Sequence, residues 1–183
     1  MTEQPNVISD LAAEGDEIDR LVSDLDASGW ATPTPAQGWT VAHQIAHLAA
    51  TFRMAALAAA DAERFTAMAA TLSPDFDKNV RMALAGYLAE PPDVLLSRWR
   101  AERARAGEAL GALPLDHMVP WLVRPLPVAV LAAAGMMELI GHGQDIADAL
   151  GVRREFTDRI GHVVAFAVRT WDFAYQARGT AVP

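Results

Sequence analysis

Five side chains of this 183-residue chain have types and spacings that could do chemistry together: His43, His47, Glu138, His142 and Asp145. Glu138, His142 and Asp145 interrupt the apolar run MELIGHGQDIADALG at intervals of four and three. At about 100° per residue, His142 stands roughly 40° to one side of Glu138 and Asp145 roughly 20° to the other, so a helix carries all three on one stripe. Leu131 and Ala134 share that stripe, which turns it toward a core. A buried carboxylate left alone is costly, so Glu138 must meet a cation, hydrogen-bond donors or a metal.

Glu-x-x-x-His on a helix places two ligand groups one turn apart, close enough to grip one ion. A further ligand must come from another helix. The stretch AHQIAHL offers His43 and His47, also one turn apart. One of them with Glu138 and His142 makes a His₂Glu set, which suits Zn²⁺ with an open fourth position. A buried Glu–His hydrogen bond without an ion is the competing reading. Asp145 reads as an outer group that orients an imidazole N–H rather than as a ligand. Asp148 falls about 80° off the stripe and faces solvent. His117 lies in a loop. His162 faces inward as a core histidine, and Met136, Met137, Trp171, Phe173 and Tyr175 read as packing residues.

Helices must position these groups. Residues 6–27 carry Val7, Leu11, Ile18, Leu21, Val22 and Leu25 at helical spacing with an acidic outer face. ASGWATPTPAQGW is a loop, pinned by Trp30 and Trp39. Thr40 caps a helix over roughly 41–60. DAERFTAMAATL continues it or forms a separate turn, and KNVRMALAGYLAE is a weaker helix. PPDVLLSRWRAERARAGEALGAL is a stronger one that ends near Gly111, with its Arg and Glu residues on a solvated face. PLDHMVPWLVRPLP is a loop. The next helix runs roughly 127–150 and stops at Gly151, and the last begins at Thr157 as N-cap. No segment reads as a strand. Four long helices with short extras predict an all-α bundle.

Composition narrows the function classes. The formal charge is -8, from 15 basic and 23 acidic residues, which argues against nucleic-acid binding and gives no attraction to anionic lipid. The most apolar stretch is interrupted by Glu138 before it reaches the length of a membrane span. MTEQPNVISD has no signal-peptide pattern, so a cytoplasmic location is expected. There are no cysteines, which removes a thiolate ligand or cysteine nucleophile from the protein itself.

GWTVAHQIAHLA, followed later by MELIGHGQDIADALG, resembles the mycothiol-dependent maleylpyruvate isomerase N-terminal domain of the DinB-like metal-binding superfamily. The family pattern is a Trp-Thr turn, a helix ending in His-Leu, and a later helix with Glu-x-x-x-His-x-x-Asp. Here these are Trp39, Thr40, His47, Leu48, Glu138, His142 and Asp145. The resemblance implies a DinB-like four-helix bundle with short additional helices. It also implies a divalent metal, commonly zinc, on His47, Glu138 and His142. His43 lies outside the pattern, as an extra ligand, a proton shuttle or a pocket wall. Many relatives continue into a second, C-terminal domain, so residues 1–183 are expected to form a single domain without it.

The activity expected from this resemblance is metal-dependent use of a small external thiol such as mycothiol. The thiol would attack an electrophilic small molecule, giving isomerisation or S-transfer. Asp145 and His43 are the candidate catalytic side chains. Arg124 and Arg169 are candidates to hold a substrate carboxylate, against simple surface ion pairing. The alternatives are a hydrolase in which the metal activates water, with Asp145 or His43 as base, and a non-catalytic bundle whose metal is closed by His43 as fourth ligand. A homodimer is the assembly allowed for.

Overall fold

The computed structural model describes residues 6–176 and 178–181. The first helix, α1 (Val7–Val22), starts where Asn6 accepts a hydrogen bond from the Ile8 amide. It ends five residues earlier than the spacing predicts. The remainder turns into a one-turn helix, α2 (Ala27–Trp30), capped by Asp26 inside the predicted loop. Trp30 is buried there and holds that loop to the core.

Thr40 begins α3 (Val41–Ala60) as expected, in a reciprocal cap with His43. At Asp61 the backbone leaves the helix, and the Asp61 side chain caps a separate helix, α4 (Ala62–Ala69). α5 (Phe76–Leu88) and α6 (Pro92–Gly111) follow, the latter with proline in its first turn. α7 (Val128–Leu150) stops at Gly151, whose φ of 66° is the left-handed conformation glycine adopts freely.

Three expectations are corrected. The predicted loop before α7 holds a short antiparallel ladder, β1 (Met118–Val119) against β2 (Leu126–Pro127). The last helix begins later than Thr157: α8 (Ile160–Arg169) is followed, after a break at Thr170, by α9 (Trp171–Gln176). Trp171 and Phe173 are exposed rather than packed inside.

The four long helices close a ring. α3 packs on α6 and α7, and α1 packs on α7 and α6, so α1 and α3 stand diagonally across the bundle. α3 and α7 are Ala-rich and apolar around most of their circumference, which suits helices covered on several sides. Ile18, Ile45, Leu48, Trp99, Met136, Leu139 and Ile146 fill the interior. Each such side chain contributes roughly 1.5–3 kcal/mol relative to exposure. Phe52 and Trp99 meet edge to face at 5.4 Å, tying α3 to α6.

The charged face of α6 is less solvated than its pattern suggests. Arg100 binds Asp19 of α1 with two hydrogen bonds at 2.7 and 2.8 Å, and Arg103 pairs with Asp16 at 2.8 Å. The acidic face of α1 is thus partly neutralised by its neighbour. On the other flank, Glu14 of α1 is buried and is held by Arg154 and Arg159 from the segment before α8.

Candidate metal centre

Adjacency of α3 and α7 brings together the groups that the sequence separates. Nε2 of His47 lies 3.0 Å from Oε2 of Glu138, and Nε2 of His142 lies 3.2 Å from the same oxygen. The two imidazoles are 4.4 Å apart between ring centres. One ligand atom from each of His47, Glu138 and His142 falls within 4.8 Å of the others. All three residues are half-buried.

The surroundings fix which nitrogen faces inward. Gln44 of α3 is fully buried. Its Nε2 donates to Oδ2 of Asp145 and to Oγ1 of Thr34, both at 2.9 Å. A carboxylate only accepts, so this bond sets the amide orientation and points Oε1 at Nδ1 of His142. Oε1 also only accepts, so Nδ1 of His142 carries the proton. In the neutral ring, Nε2 then presents a lone pair toward Oε2 of Glu138. Bare donor atoms facing one another need a cation between them, either a proton or a metal. The donor set therefore fits the His₂Glu arrangement of an open metal site.

Electrostatics agree. Burial by itself raises the Glu138 carboxyl. The hydrogen bonds and positive charge of the His142 and His47 rings in their protonated form outweigh it and hold the group down at about 2. Glu138 is thus a carboxylate wherever the protein is folded near neutral pH.

Trp39 roofs the centre. Its ring stacks on His142 at 5.9 Å and 14°, and tilts against His47 at 5.5 Å. Gly38, with φ of 80°, makes the turn that brings it there.

Asp145 does not touch an imidazole directly; it acts on His142 through Gln44. His43 stands apart from the three-residue cluster. Its Nδ1 lies 2.9 Å from Oγ1 of Thr40 and accepts the Thr40 amide at 3.3 Å, and its ring lines a separate cavity with Asp77 and Arg81. Asp148 is exposed. His117 is exposed in its loop, and His162 bonds Asp10 at 2.7 Å. Arg124 takes up Asp172 in a surface pair. The residue that sequence reasoning missed is Gln44. Its signal was an amide within the apolar run VAHQIAHLAA, three positions before His47.

Beside Glu138 opens an apolar cavity of about 150 Å³, walled by Leu131, Met137, Trp121 and Phe166.

Residues 11–147 match the family model of the mycothiol maleylpyruvate isomerase N-terminal domain. Two proteins of Mycobacterium tuberculosis, Uncharacterized protein Rv0036c of strain ATCC 25618 / H37Rv and Uncharacterized protein MT0041 of strain CDC 1551 / Oshkosh, are each 42% identical over 180 residues. The match spans 96% of this chain and 68% of theirs. Crystal structures of the mycothiol-dependent maleylpyruvate isomerase and of a single-site mutant superpose with TM-scores of 0.72 and 0.69, at 17% and 18% identity. Both cover 96% of this chain and 72% of the other, and at that identity the likeness is one of fold.

Proposed function

From the premise that the chain belongs to the mycothiol maleylpyruvate isomerase N-terminal domain family, we propose that it is a metal-dependent enzyme that uses a small external thiol. The thiol is mycothiol or a close analogue. The substrate is a small electrophile of the enedioate type, isomerised or joined to sulfur. His47, Glu138 and His142 hold a divalent ion, most simply zinc. The observation that carries this reading is the convergence of three ligand atoms from α3 and α7 within 4.8 Å.

A bound divalent ion supplies a low-pKa site for the thiol, which makes a thiolate available near neutral pH. The chain supplies the rest. Gln44 and Asp145 keep Nδ1 of His142 protonated and its Nε2 free to ligate. Trp39 restrains both imidazoles, stacked on His142 and tilted against His47. Leu131, Met137, Trp121 and Phe166 shed water from the space next to Glu138, which strengthens electrostatic interactions there. The chain has no cysteine, which accords with a nucleophile brought from outside. With an enedioate, thiolate addition turns the double bond into a single bond. Rotation and elimination of the thiolate then give the other isomer and regenerate the thiol.

Among the described residues three donors converge rather than four, with His43 outside the cluster, and this favours an open site over a closed, purely structural one. The test is zinc-edge X-ray absorption of the zinc-loaded protein with and without mycothiol, paired with an isomerisation assay on maleylpyruvate. A sulfur scatterer in the zinc sphere and turnover that requires both zinc and thiol are expected. Isomerisation without thiol would overturn the thiol's role, and hydrolysis of substrate in its place would favour the hydrolase alternative. Absence of zinc binding would remove the proposal.

A further inference from the structure

A third cavity, of about 580 Å³, lies between α3, α4 and α5 and includes none of the three proposed ligands. Its size falls within the roughly 300–1,000 Å³ of small-molecule sites. Met54, Met68 and Met82 line it, three of the chain's seven methionines, together with Leu57 and Leu72. Methionine walls are soft and adapt to the shape of an apolar guest.

The charge pattern of this cavity runs against that of the molecule. The net charge is -8, yet among the described residues the only formally charged side chains lining the cavity are Arg53 and Lys78, the latter the chain's single lysine. Among the described residues neither enters an ion pair, whereas most arginines of α6 do. Tyr87 lines the same cavity. Its buried hydroxyl has no hydrogen-bond partner among the described residues, and burial pushes its pKa up, so it stays a donor. Cations outside any ion pair beside an apolar wall favour a ligand with one anionic end and one greasy end.

We propose that the cavity between α3, α4 and α5 is a binding site for a small amphipathic carboxylate. The apolar body lies against the methionines and the carboxylate meets Arg53 and Lys78. This site is independent of the metal reading, because it shares no ligand with it.

The experiment uses 4-phenylbutyrate as probe and its neutral amide as control, on protein labelled with ¹³C at the methionine methyls. Calorimetry gives affinity and the methyl spectrum gives location. Saturable binding is expected to shift Met54, Met68 and Met82 while leaving Met137, beside Glu138, in place. The amide and the double variant R53Q/K78Q should each bind about tenfold more weakly or less. Both substituted residues are exposed, so the variant should keep its helicity and melting point, which circular dichroism checks. No saturation up to about 10 mM, equal binding of the amide or the double variant, or shifts centred on Met137 would each overturn the proposal.

Discussion

Nε2 of Gln44 donates to Oδ2 of Asp145 at 2.9 Å, across 101 positions of sequence. The same amide accepts from Nδ1 of His142, so a buried glutamine on one helix transmits the Asp145 charge to an imidazole on the other. Gln44→Leu keeps the volume but strands both His142 Nδ1–H and Asp145. It is expected to cost roughly 1–3 kcal/mol in stability. Zinc affinity should also drop about 10–100-fold. Asp145→Asn leaves an oxygen for Gln44 and should lose less than Asp145→Ala. Chelator competition on the three variants measures the order.

His142→Ala removes one of the three proposed ligands without disturbing the interior contacts of α7, since the ring is half-buried at the edge of the core. Stoichiometric metal binding should vanish while far-ultraviolet dichroism stays close to that of the parent. Full zinc occupancy by elemental analysis in this variant would place the metal elsewhere.

At Gly143 α7 lies tight against α1. A Cβ there would overlap Cδ1 of Ile18, and the Arg154 guanidinium closes the other side at 2.8 Å. Ile18 is fully buried and cannot swing out. Gly143→Ala should therefore destabilise by about 1–3 kcal/mol through overpacking, despite the gain in helix propensity. Gly141, two residues earlier on the same helix, has open space around it. Gly141→Ala should be neutral or stabilising, and urea midpoints compare the two.

The Asp19–Arg100 pair gives a pH-dependent term. The hydrogen bond from Arg100 holds the Asp19 carboxyl below its ordinary value of 3.8. A carboxyl lowered on folding adds stability above its unfolded pKa and loses it as pH falls through the folded one. Arg100 is about half exposed, so solvent screens the pair. Asp19→Asn should cost about 0.5–1 kcal/mol at neutral pH, shrinking toward zero as both proteins are acidified through the carboxylate range. Urea midpoints at several pH values follow the difference.

The helices were legible because their signals are local. Thr40 caps α3, Gly151 ends α7, and apolar periodicity marks the faces between. The Glu138–His142 stripe was legible for the same reason, since helical geometry alone puts residues four apart side by side. The family resemblance supplied His47 from a motif. The short β1–β2 ladder and the break at Thr170 were not legible, because two-residue pairings and a single turn carry too little periodic pattern.

Sequence alone determined which residues could be ligands and which helix faces they occupy. Tertiary structure decided how they are used. His43 and His47 share one face of α3, so which of them meets Glu138 depends on how far α3 is slid along α7, and side-chain packing across the bundle sets that register. With α3 so placed, Nε2 of His47 reaches the carboxylate, while His43 closes its own helix end. Gln44 enters the centre by the same packing. Its three partners, Thr34, Asp145 and His142, lie on two other segments of chain, and only a packed bundle brings them to one amide.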